Sequence, residues 1–435
     1  MDTAPFAHWL RIGLGRPILH LRRNDSRPYR ETILDACLHD TVYDRQCEGS
    51  RAPYLFDVIA ATGEPDYYRD HLLAASAPET LDGDDGEQIL ALLGLFAAQG
   101  DTEARAQLYR VFDTNIASER PDAATEIVEV DGVVGLLAIA GRLSFDADDD
   151  WEAYCFIRDA SKRSGDEETW AALHNAAAND PTLTDFVALA QRGREQDENR
   201  MLVDWETEPT VDYATLRARF LAGDQSALRQ LRRWTRTAPD DQLRLAAADL
   251  LTEDNPTRLK VYLSLFTKRQ FPLDHTRLLT FARHPDRRIA GLSRTTLANL
   301  THPDIRTLGL ALLSEGDGGG ARLLANNYQD GDFALIERLL LAWTDRDEIH
   351  SLGYGLRDMA ETQRRPESIG ALSAAYERGP CSLCREHTVE LLAAVQTLPT
   401  RLVAECQHDA NKRLRELARD YAAAQGSGEK ATQSA

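Results

Sequence analysis

The sequence predicts an all-α protein built from antiparallel helical hairpins. Apolar residues recur at positions i, i+3, i+4 and i+7 in successive windows, the spacing of one face of an α-helix. Short connections separate these windows, with Gly where a helix ends and Asp where the next begins. Strand patterns are nearly absent, and the one short β-branched run, at 126–131, predicts a turn or the entry to a helix. Helices packed on helices therefore form the core.

The clearest hairpin comprises the apolar window at 87–98 and the window at 102–112. Gln99, Gly100 and Asp101 lie between them, so that the Gly occupies a C-cap position and Asp101 the next N-cap. The same layout recurs at 166–192 and at 213–236. Elsewhere the Gly-rich run at 316–320 lacks the Lys-Ser/Thr of a phosphate loop and predicts a flexible connection between repeats.

The chain's charge disfavours polyanionic partners. Its 435 residues include 50 Lys+Arg and 70 Asp+Glu, which give a formal net charge of -20. A nucleic-acid-binding protein usually has a basic face, and an anionic membrane surface is disfavoured for the same reason. Nearly all the basic residues are Arg; an Asp-rich, Lys-poor surface fits salt adaptation, and a GC-rich genome produces a similar bias.

The sequence favours a cytoplasmic protein. The first 23 residues are too polar for a secretory signal. The most apolar stretch, 89–98, is much shorter than the roughly 20 residues that cross a bilayer. Cysteines are too sparse for a disulfide scaffold, which favours reduced thiols. We expect no membrane partner.

Four segments are expected along the chain. Residues 1–195 form an N-terminal array of helical hairpins, and the charged, non-periodic stretch at 196–209 joins it to a second half. Residues 210–425 form a C-terminal array of repeats. Residues 426–435 are a flexible polar tail.

A local motif recurs in the second half. An Asp near a helix start is followed by an aliphatic residue, an Arg and a small residue, as at 239–251, 284–292, 302–313 and 409–419. The aliphatic residue enters the core, and the small residue lets a neighbouring helix approach. The recurring Arg can reach an Asp of an adjacent repeat and form charge-assisted hydrogen bonds. His284 and His302 both precede Pro-Asp in matching positions, so we interpret them as repeat structure rather than ligands.

This motif resembles the HEAT/armadillo-like family of α-solenoids, mainly over residues 237–425. The resemblance implies a right-handed α-solenoid of antiparallel hairpins. It also implies a non-catalytic scaffold that binds a protein or peptide segment on a solenoid surface, without a cofactor. A minority of HEAT-like proteins are DNA glycosylases or chromophore lyases. The alternative is therefore a nucleic-acid-processing enzyme of the DNA glycosylase type that uses an Arg/Trp groove.

The sharpest local feature is a cysteine pair followed by a histidine. Cys381 and Cys384 form a Cys-x2-Cys pair, His387 lies one turn further, and Cys406 follows after the next predicted turn. Three thiols and one imidazole suit a structural zinc site. Two other interpretations stay open: cysteines that fill small gaps beside a helix start, and a redox pair at a helix N-terminus.

Two further segments are candidate partner-binding surfaces. The first is a dense polar loop between two helices, which contains Tyr43, Asp44, Glu48, Arg51 and Tyr54. Its charges could instead pair with one another and cap helices. The second is a basic stripe formed by Arg229, Arg232 and Arg233 beside Trp234. It suits an acidic partner or nucleic acid, but pairing with the protein's own acidic residues is favoured.

Overall fold

Helices are the only regular secondary structure in the part of the chain that the structure describes. A computed structural model describes residues 3–118, 120, 122–143, 145–146, 149–202 and 211–432. These residues contain α-helices and short 3₁₀ segments and no β-strand, which confirms the all-α class. The β-branched run at 126–131 lies within a helix. None of the described helices is long and apolar enough to cross a membrane.

The helices divide into two compact units. The first comprises residues 1–206 together with 401–435, and the second comprises 207–400. The helices of the first unit that precede the second are α1 Thr3–Ile12, α2 Arg16–Leu21, α3 Arg30–Leu38, α4 Arg45–Glu48, α5 Ala52–Thr62, α6 Pro65–Ala75, α7 Gly83–Ala98, α8 Thr102–Asn115, α9 Ala124–Asp131, α10 Val133–Ile139, α11 Asp150–Ser164, α12 Asp166–Ala177 and α13 Pro181–Leu202.

The second unit has its own buried apolar residues, and one cluster of them extends from Tyr213 to Leu323. Its helices are α14 Tyr213–Leu221, α15 Gln225–Trp234, α16 Asp240–Thr252, α17 Pro256–Leu265, α18 Thr276–Phe281, α19 Arg287–Ala298, α20 Pro303–Ser314, α21 Asp332–Ala342, α22 Arg346–Gln363, α23 Ile369–Arg378 and α24 Ser382–Val395. Its most extensive packing joins elements that are near neighbours in the sequence.

The last helices of the chain pack within the first unit. These helices are α25 Thr400–Cys406 and α26 Lys412–Thr432. The Ala410 N–H donates to the Gly13 carbonyl at 2.9 Å, and the Arg16 guanidinium lies 2.9 Å from the buried Glu405 carboxylate. This grouping differs from the sequence prediction, which joined 401–425 to the second half. Residues 196–202 of the predicted joint at 196–209 form the last part of α13. The rest of the predicted joint lies outside the described residues.

Helix starts follow the capping chemistry expected from the sequence. Helix α7 ends at Ala98, Gly100 has a φ of +96°, and the Asp101 carboxylate accepts hydrogen bonds from the first N–H groups of α8. His284 and His302 also act alike: each Nδ1 accepts the backbone N–H two residues on, at the start of a helix. Each imidazole therefore holds the backbone turn that leads into a helix.

The recurring Arg residues have different partners. Arg306 forms a bidentate pair with the buried Asp332 of the next hairpin, at 2.6 and 2.8 Å, as the motif predicts. Arg244 instead donates to the Pro272 carbonyl, and Arg415 donates to carbonyls just before its own helix. Some of the recurring Arg residues therefore form ion pairs with an adjacent hairpin, and others donate hydrogen bonds to backbone carbonyls in loops.

The Gly-rich run is a packed element, and its prediction as a flexible connection is wrong. Residues Gly318–Leu324 form a 3₁₀ segment that packs against α19, α20 and α22. A Cβ at Gly318 would lie 2.3 Å from the Glu348 carbonyl oxygen, and one at Gly320 would lie 2.5 Å from the Gly309 carbonyl oxygen. The glycines are there because backbone meets backbone at close range.

The stability of the first unit depends on pH through one carboxyl group, that of Glu126. Half-buried Glu126 on α9 packs its Cβ and Cγ against Gly94 of α7. Burial, reinforced by the carboxylates of Glu129 and Asp122, raises the pKa of Glu126 to about 7. The folded state thus holds this proton more tightly than the unfolded chain. The protonated Glu126 therefore contributes to the free energy of unfolding at pH values below the ordinary pKa of a Glu side chain. This contribution is lost as the pH rises to about 7.

We therefore expect Glu126→Gln to stabilise the protein at pH 8 by on the order of 1–2 kcal/mol, because Gln has no charge to bury. The gain should shrink by pH 5, where the folded wild type keeps its proton. Thermal unfolding followed by circular dichroism at both pH values measures this. Glu103→Gln, at an exposed position on α8, is the control. A gain from Glu126→Gln that does not change with pH would contradict the prediction.

Candidate functional site

The second unit contains an open groove of about 600 Å³. One wall is the first half of α19, the opposite wall is the first half of α22, and the 3₁₀ segment forms the floor. We call this feature the groove. Its lining residues are His284, Arg287, Ala290, Gly291, Arg294, Glu315, Gly316, Asp317, Gly319, Arg322, Asp347, Glu348, His350, Ser351, Tyr354 and Gly355.

Small residues create the space in the groove. Ala290 and Gly291 lie on one wall, and Ser351 and Gly355 on the other. A Cβ at Gly291 would meet nothing within 4 Å, and its φ lies outside the left-handed region. A side chain could therefore be added at Gly291 without backbone strain, and it would project into open space.

Many of the charges in the groove are paired with each other or with the backbone. The Arg294 guanidinium pairs with both carboxylate oxygens of Asp317, at 2.8 and 2.7 Å. Glu315 accepts two hydrogen bonds from Arg283 at the rim, at 2.7 and 2.9 Å. The Glu348 carboxylate accepts the Gly318 N–H at 2.7 Å. These pairs hold the loop before the 3₁₀ segment in one arrangement and give the groove a mixed polar surface.

Tyr354 presents an aromatic ring at the groove. Tyr354 is 45% exposed, although large apolar and aromatic side chains are normally buried. The guanidinium groups of Arg322 and Arg357 lie 5.1 and 4.9 Å from the ring centroid. Arg322 is itself held by Asp358 at 2.8 Å. Cation–π contacts and a salt bridge thus keep the ring in place while one part of it stays accessible.

A second feature adjoins the groove: His350, Cys381 and Cys384, which we call the cysteine cluster. Their ligand atoms all lie within 4.8 Å of one another, so the cluster could hold a metal ion. The His350 Nε2 lies 3.3 Å from the Cys384 Sγ, and the Arg357 guanidinium donates to the same sulfur at 3.1 Å. A cavity of about 10 Å³ lies among these side chains. His350 lines both this cavity and the groove.

The N-terminus of α24 positions the two cysteines. Cys381 is the N-cap residue, and its Sγ accepts the Cys384 N–H at 3.4 Å. The hydrogen bond to the Cys384 thiol, together with burial, raises the pKa of Cys381 well above its ordinary range. Cys384 points toward α22, which supplies His350 and Arg357. The cluster therefore links α22 to the start of α24.

The cysteine cluster contains only two of the four ligands that the sequence predicted. Cys381 and Cys384 come together, but the third ligand is His350, and His387 is not in this cluster among the described residues. Cys406 ends α25 and belongs to the first unit. Residue spacing alone carried no signal for His350, which lies one hairpin earlier in the chain.

A further group, formed by His275, His302 and Asp304, also has ligand atoms within 4.8 Å of one another. The His302 Nδ1, however, already accepts the Asp304 N–H as a helix cap, at 3.2 Å. The rings of His275 and His302 meet edge to face, with centroids 4.5 Å apart. We interpret this group as capping and ring packing.

The polar loop of the first unit is held together by its own charges. The Asp44 carboxylate caps α4, and Glu48 accepts the N–H groups of Tyr43 and Asp44. The Arg51 guanidinium lies 3.4 Å from the Glu48 carboxylate, with both side chains buried, and the buried Tyr54 hydroxyl donates to the Leu14 carbonyl at 2.7 Å. Arg51 and Tyr54 thus belong to the interior, while Tyr43 and Asp44 retain exposure.

The basic stripe on α15 is split between surface and core. Arg229 and Arg232 are exposed and Arg233 is half-buried. Trp234 is buried and stacks on Tyr213, with ring centroids 5.2 Å apart. Its ring is therefore engaged within the core and does not offer a free face for stacking on a nucleic-acid base.

Charge is distributed unequally between the units. In the second unit, acidic and basic residues are equal in number, so that the net charge of -20 falls entirely on the first unit. The groove thus belongs to a neutral body in an acidic protein. Long-range electrostatic attraction from the second unit itself is weak, and recognition there depends on local contacts.

A scan against protein-family models and searches of curated proteins and solved structures find no match for this chain.

Proposed function

We propose that this protein is a non-catalytic interaction scaffold, and that its second unit is an α-solenoid that binds a segment of another protein in the groove. The supporting observation is the groove itself: an open volume of about 600 Å³ between two helices, with a closely packed Gly-rich segment as its floor. The packing of elements against near neighbours in the sequence supports the solenoid architecture.

The lining of the groove favours a protein segment over a small apolar ligand. Small-molecule sites are mostly apolar and enclose their ligand, whereas this groove is open and lined by charged and small residues. Tyr and Arg dominate the energetic centres of protein interfaces. Tyr354, flanked by Arg322 and Arg357, is a rigid anchor of that kind. Because Arg294 and Glu315 are held in ion pairs, the arrangement supports binding rather than acid–base catalysis.

Filling the groove tests this proposal. We expect Gly291→Trp to lower the recovery of bound partner protein at least tenfold, because the indole projects into the groove without backbone strain. Wild-type and variant chains are used as bait in the native host, and co-purified proteins are quantified by mass spectrometry.

Ala248→Trp is the matched control, since it adds the same bulk at an exposed position on α16. A second variant, Arg229→Glu with Arg232→Glu, reports on the basic stripe. A partner that is lost only with Gly291→Trp supports the groove, and one lost only with the α15 variant assigns binding to the stripe. Equal recovery with all three variants and the wild type would overturn both assignments.

A further inference from the structure

We propose that His350, Cys381 and Cys384 bind one zinc ion, which ties α22 to the start of α24. This inference is independent of the proposed peptide binding, because it depends only on the cysteine cluster.

The geometry is close to that of a tetrahedral zinc site. With metal–ligand distances of about 2.0–2.3 Å, the ligand atoms of such a site lie roughly 3.6–3.8 Å apart. The His350 Nε2 and the Cys384 Sγ are 3.3 Å apart, and all three ligand atoms lie within 4.8 Å of one another. Small rotations of these side chains would bring all three atoms to one ion. The 10 Å³ cavity lies among the same residues.

The donor set selects the metal. Thiolate sulfur and imidazole nitrogen favour zinc, whereas magnesium and calcium prefer oxygen ligands. Three protein ligands leave a fourth tetrahedral position, which a water molecule fills. The binding of zinc to two thiols releases their protons, and no electron transfer is involved.

Neighbouring N–H groups donate hydrogen bonds to both sulfurs. The guanidinium of Arg357, which is 5% exposed, donates to the Cys384 Sγ at 3.1 Å. The Cys384 N–H donates to the Cys381 Sγ at 3.4 Å. Such outer hydrogen bonds orient metal ligands and contribute to affinity. A disulfide between Cys381 and Cys384 is the rival outcome, and it would give His350 no role.

Cobalt substitution is the direct test. The full-length protein is purified under reducing conditions, stripped with a chelator and titrated with Co²⁺. We expect one Co²⁺ per chain, with the visible bands of four-coordinate cobalt and a sulfur-to-cobalt charge-transfer band, and displacement by one equivalent of Zn²⁺. Alkylation followed by mass spectrometry is the second measurement. Zinc should protect Cys381 and Cys384 in the wild type while leaving the exposed Cys47 reactive.

Variants distinguish the ligand sets. Cys384→Ser and His350→Ala should abolish stoichiometric binding, and Arg357→Gln should weaken it roughly tenfold. His387→Ala and Cys406→Ala, at the two other positions that the sequence suggested, should bind as the wild type does. Loss of binding in these two variants, or a wild type that takes up no cobalt and yields free thiols or a Cys381–Cys384 disulfide, would overturn the proposal.

Discussion

Replacing Gly13 with alanine is expected to destabilise the first unit by about 3–5 kcal/mol. Gly13 has a φ of +77°, and a Cβ there would lie 1.8 Å from an Arg51 guanidinium nitrogen and 2.6 Å from the Ala410 Cβ. Arg51 has little room to move, because it is buried, pairs with Glu48 and donates to the Ile12 carbonyl. The added methyl group would therefore displace either a buried ion pair or the chain segment after α25.

Gly63→Ala separates crowding from backbone strain. Gly63 has nearly the same φ, +73°, but a Cβ there would meet nothing within 4 Å. Its substitution should cost only the conformational penalty, about 1–2 kcal/mol. Urea denaturation of the full chain measures both losses, and hydrogen exchange read by mass spectrometry shows whether 1–206 and 401–435 lose protection together. Equal losses at the two glycines would contradict the crowding that we describe around Gly13.

Local signals in the sequence predicted the helices well. The turn at Gly100 and Asp101 depends on a few consecutive residues, and the structure confirms it. The all-α class follows from the same local rules, because hydrophobic periodicity is a property of each window of sequence.

Features that depend on distant parts of the chain could not be predicted in the same way. The contact of Gly13 with Ala410 joins the two ends of the chain, and nothing near 401–425 distinguishes that segment from another repeat. The Gly-rich run was misjudged for a similar reason: Gly also suits close backbone packing, and only the neighbouring helix shows which role applies.

In the candidate sites, too, the features set by neighbouring residues were predictable and those set by distant residues were not. Cys381 and Cys384 were predictable as a pair because a helix start holds them three residues apart. His350 enters the cysteine cluster only through the packing of α22 on α24. The groove had no local signal either, since it depends on small residues on two helices, such as Gly291 and Ser351, that face the same space.

Gly355→Ala is expected to destabilise the second unit by about 3 kcal/mol. A Cβ at Gly355 would lie 2.4 Å from the Arg322 backbone nitrogen and 2.6 Å from both the Ala321 carbonyl carbon and its Cβ. These are largely backbone atoms of the 3₁₀ segment, so no side chain can rotate to give way. Helix α22 would have to move away from the groove floor, and Tyr354 would move with it.

Gly353→Ala on the same helix is the matched control. A Cβ there has only the Arg357 guanidinium nearby, at 3.6 Å, so the helix-forming preference of alanine should stabilise the protein by about 1 kcal/mol. Denaturation midpoints give both values, and hydrogen exchange in 318–324 shows whether the floor of the groove loosens only in Gly355→Ala. If the groove binds a protein segment, Gly355→Ala should also reduce partner recovery while Gly353→Ala keeps it. Stability equal to that of Gly353→Ala would mean that α22 shifts freely, and the groove would then lack the fixed wall on which the binding proposal depends.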